Sequence, residues 1–257
     1  MSAAALLEAQ GLGKDFGGLT AVRALDFAVP GGQIKALIGP NGAGKTTIFN
    51  MISGAIRPSR GRVLFDGAPL PPPPAHAVAA RGIARTFQLV RLFGDMTVLE
   101  NVLVGCHRRG HVGWTGCALR TPGMRREEAR LVERAWQVLA WLGLEARAGE
   151  PAALLPYGDQ RLVEMGRALA AGPRLLLLDE PGAGLNGEEQ ARLAALIRKI
   201  RAAGTTVLLV DHHMNFVMDL SDEVLVLSYG EKLAEGPPRQ VRRDPAVIAA
   251  YLGEEAA

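Results

Sequence analysis

Short apolar runs alternate along this chain with longer stretches in which apolar positions recur every three or four residues. The runs fit buried strands and the longer stretches fit helices with one covered face. Their alternation predicts βαβ units around a largely parallel sheet. Ile34–Ile38, Leu175–Leu178 and Val207–Val210 read as interior strands, the last two covered on both faces. Glu223–Leu227 and Lys232–Ala234 complete the sheet, while Arg62–Phe65 is a strand closed by the turn Asp66-Gly67. Gly82–Phe87 is another strand, ending at Gln88. Pro71–Pro74 fits neither helix nor central strand and predicts a stiff surface connection.

Helices are expected over Lys45–Ser53, stopped near Gly54, over Arg161–Ala171, and at the end over Pro245–Leu252. Thr97 to Gly143 is helical in pattern apart from a Gly-rich interruption at Gly110–Gly123. Within it Leu131, Ala135, Val138, Leu139 and Leu142 share one face, a stripe that predicts core packing. Trp114, Trp136 and Trp141 lie in or near this region, and simple packing is the expectation for each.

Composition narrows the picture mainly by exclusion. The 257 residues suffice for one large α/β domain, and a hydrophobic fraction of 48% is ordinary for a globular chain. A net charge of +3 with no block of like charges gives no reason to expect a nucleic-acid partner. No apolar run approaches the roughly 18 residues needed to span a bilayer. Met1 to Gln10 has no basic start and is interrupted by Glu8, so the chain is expected to stay in the cytoplasm. Cys106 and Cys117 make no disulfide framework. With His107 and His111 they match no common zinc spacing, so an ordinary surface loop is expected there.

Two motifs carry chemistry. Gly39-Pro40-Asn41-Gly42-Ala43-Gly44-Lys45-Thr46 fits G-x-x-x-x-G-K-[ST], after a strand and before a helix. Glycines let such a loop curl so that its N–H groups face phosphate oxygens, and the helix start adds its positive dipole end. Lys45 then supplies a cation for the β- and γ-phosphates of ATP, and Thr46 a hydroxyl for Mg²⁺. The second motif, Asp179-Glu180, ends an apolar strand, where ligands of open α/β sheets collect. Asp179 is expected to hold Mg²⁺ and Glu180 to polarise the water that attacks the γ-phosphate.

Leu155-Pro156-Tyr157-Gly158-Asp159-Gln160, directly before a helix and then the acidic strand, resembles the ABC ATPase signature, whose usual form is LSGGQ. That resemblance spans about Leu6 to Gly253 and implies a P-loop NTPase core (RecA-like) with an antiparallel β subdomain and an inserted α-helical subdomain. It implies one ABC ATPase domain over 1–257, with a nucleotide-binding core at 1–95 and 172–257 and helical signature subdomain at 96–171. Carried over by motif, Gln88 is the Q-loop residue beside the γ-phosphate and metal, facing the membrane subunits. His212 is the switch histidine, Phe16 stacks on adenine, Thr47 joins the phosphate loop, and Ala183-Gly184-Leu185-Asn186 is the D-loop. The signature, Leu155 to Asp159, would contact ATP held by a second ATPase subunit, in a hetero- or homodimer.

Within the family the chain looks most like the longer of the two ATPase subunits of branched-chain amino-acid importers. Phe16-Gly17-Gly18-Leu19, Gly82–Gln88, Met96–Val102 and Ala250-Tyr251-Leu252-Gly253 carry that likeness, with the insertion between Val104 and Arg126. It implies two transmembrane permease subunits, a periplasmic solute-binding protein acting indirectly, and a peripheral place on the cytoplasmic face of the inner membrane. The ATPase of a lipopolysaccharide exporter, or of an importer for urea or amides, is the alternative. Three positions depart from the family: Pro156 replaces a serine, Asp159 a glutamine and Asn186 an aspartate. Pro156 removes a hydroxyl, and the charge of Asp159 favours the helix start but not a nearby phosphate, so a weakened signature contact is expected.

Overall fold

A computed structural model describes residues 5–88, 90–107 and 121–252. His111, Trp114, Cys117 and most of the insertion between Val104 and Arg126 lie outside the described residues. The chain divides into two compact units, one made of Met1–Arg85, Arg174–Gly184 and Ile197–Ala257, the other of Thr86–Pro173 and Leu185–Leu196.

In the first unit, β1 (Ala5–Phe16) and β2 (Leu19–Pro30) form a long antiparallel pair, followed by β3 (Ile34–Ile38) and α1 (Lys45–Ile52). Next come β4 (Arg60–Phe65), β5 (Ala68–Pro69), α2 (Ala75–Ala80) and β6 (Ile83–Arg85). Further along the chain this unit adds β7 (Leu175–Asp179), β8 (Thr206–Val210), β9 (Glu223–Ser228) and β10 (Glu231–Gly236). Among the described residues the antiparallel sheet has the order β2-β1-β4-β5 and the second sheet the order β10-β9-β3-β8-β7-β6. All neighbours in the second sheet are parallel except the edge strand β10. Parallel pairing sets the carboxyl ends of β3, β7 and β8 on one edge, and this positions the site. Interior strands are buried along their whole length, as continuous apolar runs require. One core holds residues of both sheets and of α1: Ile48, Phe49, Met51 and Ile52 share it with Leu7, Leu12 and Phe65 of the antiparallel sheet and with Leu37, Leu177 and Leu208 of the largely parallel one.

The long strands β1 and β2 were not separable from the N-terminal pattern. Their pairing shifts register at Ala5/Leu7, Ala9/Leu12 and Leu12/Lys14, and each bulge resets the two-residue alternation that marks a strand. Gly82–Phe87 shortens to Ile83–Arg85 for a related reason: Gly82, at φ 97, is a turn residue, and ladder pairing ends at Arg85.

The second unit holds α3 (Val98–Cys106), α4 (Pro122–Leu142) and α5 (Tyr157–Ala170). Helix α6 (Gly187–Ala202) begins in it. A capping box opens α3, with Thr97 Oγ1 accepting from Glu100 N–H at 3.2 Å and the Glu100 carboxylate from Thr97 N–H at 2.7 Å. On α4, Ala135, Val138, Leu139 and Leu142 are buried as the stripe requires. Trp136 and Trp141 fall off that stripe and are 41% and 38% exposed, so simple packing does not describe them. Helix α5 starts at Tyr157, four residues earlier than the pattern predicts. Gly158 lies within its first turn, where a Cβ would stand 2.5 Å from the Glu189 carboxylate. No helix among the described residues is long and apolar enough to cross a membrane.

Candidate nucleotide site

The loop between β3 and α1 is held in a shape that only glycine permits at two points. Gly39 and Gly44 have φ of 149° and 100°. A Cβ would meet Leu227 O at 2.3 Å at the first and Ala21 O at 2.6 Å at the second. Gly44 is the N-cap of α1 and offers no side chain to the helix start. By the geometry of an α-helix, the first-turn N–H groups at Lys45, Thr46 and Thr47 therefore face outward, at the positive end of the dipole. Ala43 N–H turns back to Pro40 O at 3.2 Å, and the β9–β10 hairpin supports the loop through Gly230 N–H to Ala43 O at 3.2 Å. The Lys45 ammonium is folded onto its own loop, donating to Gly39 O and, at 2.7 Å, to Pro40 O. Phe16, the last residue of β1, is 47% exposed with the Lys14 ammonium 5.0 Å above its ring, which excludes a core role for it.

Asp179 closes β7 and is buried, with one oxygen 2.8 Å from the Arg85 guanidinium. Glu180 follows at φ 48°, a left-handed conformation that costs a non-glycine residue about 1–2 kcal/mol. Its N–H donates to Val210 O at 2.7 Å, which ties the end of β7 to the end of β8. Backbone strain of this kind concentrates at working sites. His212 Nδ1 lies 3.9 Å from Glu180 Oε2, so the motif residues from β7 and β8 do converge.

Beneath them the buried Asp211 carboxylate accepts from Gly182 N–H at 2.9 Å, from His213 N–H at 2.9 Å and from His213 Nδ1 at 2.8 Å. It fastens the loop after Glu180 to the loop that carries His212. Asp211, His213 and Arg85 had no role in the sequence reading. Arg85 stands three residues before Gln88, but nothing local marks its partners.

Gln88 and the signature belong to the second unit. Gln88 is exposed, and its lead-in is fixed by α5: Phe87 N–H donates to Glu164 at 3.3 Å and Arg161 donates to Phe87 O at 3.1 Å. Burial pushes the Glu164 carboxyl above the usual range, against the Phe87 N–H and Arg161, which hold it down. Leu155 is buried, Pro156 is the N-cap of α5, and the Arg161 guanidinium lies 5.4 Å from the Tyr157 ring. Asp159 is flanked by Arg147 at 3.1 Å and Arg192 at 3.2 Å. Two arginines thus compensate the charge that looked unfavourable beside a phosphate. Asn186 caps α6, its Oδ1 accepting from Glu189 N–H at 3.0 Å while Glu189 accepts from Asn186 N–H at 2.9 Å. Cys106 is buried, so of the Cys106–Cys117 loop that residue belongs to the core.

The family model described as ABC transporter matches residues 22–183, well over half of the chain. This chain belongs to the ABC transporter family. A second model, described as branched-chain amino acid ATP-binding cassette transporter, matches residues 231–257. Among similar ABC proteins is the high-affinity branched-chain amino acid transport ATP-binding protein BraF of Pseudomonas aeruginosa, 44% identical over 97% of this chain and 98% of its own. The protein of the same description named LivG in Escherichia coli is also 44% identical, with the same coverage. A solved ATP-binding cassette of an ABC transporter in its ADP conformation superposes with a TM-score of 0.86 at 31% identity, over 97% of this chain and 99% of that one. The P-loop NTPase architecture and nucleotide binding thus follow from family membership as well as from the loop.

Proposed function

We propose that this ABC ATPase is the MgATP-hydrolysing subunit that energises a membrane importer of branched-chain amino acids. The observation that carries the reading is the glycine cradle at Gly39–Thr46, set on the same sheet edge as Asp179 and Glu180. The two relatives at 44% identity, both described as branched-chain amino acid transport ATP-binding proteins, supply the cargo class and favour the importer over an exporter. The cradle leaves no room for a Cβ at Gly39 or Gly44, and the motif residues of this unit that offer oxygen ligands are the Thr46 hydroxyl and the Asp179 carboxylate. Such hard oxygen ligands suit Mg²⁺. When bound, the metal neutralises charge between the β- and γ-phosphates.

In this scheme the backbone N–H groups of Asn41 to Thr47 bind phosphate, and Lys45 leaves its two carbonyl partners for the β- and γ-oxygens. Thr46 and Asp179 would hold the metal. Glu180 accepts the proton of the attacking water and His212 donates to the γ-phosphate, both acting on charge that develops in the transition state. Phe16 stacks on adenine. Residues 1–95 and 172–257 serve as the nucleotide-binding core and 96–171 as the helical signature subdomain. Leu155, Pro156, Tyr157, Gly158 and Asp159 meet the ATP of a second ATPase subunit. The assembly works on the cytoplasmic face of the inner membrane through two permease subunits, with a solute-binding protein delivering cargo.

The test is Glu180→Gln. It should bind MgATP with near wild-type affinity while phosphate release falls at least about a hundredfold. Release at the wild-type rate contradicts the assignment. Cargo is tested by ATP-dependent uptake of leucine against urea in vesicles carrying the chain with its cognate subunits.

A further inference from the structure

The Arg85 guanidinium lies at the meeting point of three elements. It ends β6, donates from one nitrogen to Asn50 Oδ1 at 2.7 Å and Ser53 Oγ at 3.0 Å at the end of α1, and from another to Asp179 Oδ2 at 2.8 Å. Its side chain is 10% exposed and that of Asp179 8%. A carboxylate so far from water needs a compensating charge whether or not a metal is present. Arginine suits the task because its planar fork stays charged and can bond two directions at once. Asn50 lies in the helix that begins at Lys45 and Ser53 is its C-cap, so the same group ties the phosphate-loop helix to the acidic strand.

We propose that Arg85 is a positioning residue that serves as the resident counter-charge of Asp179, keeping this carboxylate aimed between turnovers. The inference rests on the reading of Asp179 as a metal-holding residue. A cation that binds there shares its carboxylate with a guanidinium already in place, and Arg85 therefore weakens metal affinity. That aids release after hydrolysis, while the fold stays intact when the metal is absent.

The test uses the full chain carrying Arg85→Met, with thermal melting in EDTA, melting with Mn²⁺ plus a non-hydrolysable ATP analogue, and Mn²⁺ affinity by electron paramagnetic resonance. Without metal the variant should melt well below wild type, because Asp179 is left buried without its counter-charge. With Mn²⁺ and the analogue at least half of that gap should close, and by linkage Mn²⁺ should bind roughly tenfold more tightly than to wild type. An equal melting deficit in both conditions, or an Mn²⁺ affinity that is unchanged or weaker, overturns the proposal, since a merely structural arginine gives that result. Should Arg85→Met fail to fold, Arg85→Lys retains charge but not the fork. It should fold with an Mn²⁺ affinity within about twofold of wild type, and a tenfold tightening there overturns the proposal. Asp179→Asn separates the two layers. If it leaves Mn²⁺ affinity untouched, Asp179 is no metal residue and both readings fall. If it weakens Mn²⁺ while Arg85→Met changes nothing, only the role of Arg85 falls.

Discussion

At the scale of single residues, backbone conformation sets the site more firmly than side-chain chemistry does. Gly44 combines φ 100° with a neighbouring carbonyl, Ala21 O, only 2.6 Å from where a Cβ would stand. Gly44→Ala should therefore destabilise the chain by about 1–3 kcal/mol and lose nucleotide binding more severely than its stability loss explains. Urea unfolding and titration with a fluorescent ATP analogue would measure the two effects. Wild-type nucleotide affinity in a folded Gly44→Ala protein would show that the loop shape is not what grips phosphate. The loop could be read from sequence because its requirement is local: glycines, a lysine and a hydroxyl within eight consecutive positions. Arg85 could not. Its partners Asn50, Ser53 and Asp179 are brought to it only by folding. The same holds for Asp211, whose hydrogen bond to Gly182 N–H joins two separate strand ends.

At the scale of elements, β3 shows what an apolar run conceals. Lys35 sits in the middle of that interior strand at 1% exposure. Its ammonium donates to Ala28 O at 2.7 Å, to Glu223 at 2.9 Å and to Glu235. Burial alone would push the Glu235 carboxyl up, but the ammonium groups of Lys232 and Lys35 outweigh it and hold the carboxyl below its ordinary value of 4.5. A depressed glutamate stabilises the fold above that ordinary value, and the contribution is lost as pH falls through the folded one. Glu235→Gln should thus cost about 1–3 kcal/mol at pH 7, with the gap to wild type shrinking as the medium is acidified below 4.5. Urea midpoints of both proteins across that range would check it. A gap that holds constant or widens on acidification has the wrong sign. Periodicity located β3, β7 and β8 because they are short, continuous and covered. It missed β1 and β2, whose bulges break the alternation, and it started α5 four residues late, since Tyr157–Gln160 carry no apolar repeat of helical spacing.

At the scale of the whole molecule, the order of motifs was more telling than any one of them. Loop, glutamine, signature, acidic strand and histidine stand in the order that the resemblance to the ABC family implies, and the ABC transporter family model matches residues 22–183. The departures that looked damaging acquire reasons in the fold. Asp159 is met by Arg147 and Arg192, and Asn186 caps α6. Transported cargo leaves no mark on this chain's own chemistry, so only likeness to relatives speaks to it.

The central claim is that Gly39–Thr46 grips the phosphates of ATP through backbone N–H groups and Lys45. Calorimetric titration of MgATP into the folded chain, alone and with its cognate subunits, tests this most directly, with Lys45→Ala beside it. The account predicts saturable uptake of one nucleotide per chain, weakened by about tenfold or more when the lysine is removed. Absence of uptake by the folded wild-type chain in both settings, or undiminished affinity in Lys45→Ala, would contradict it.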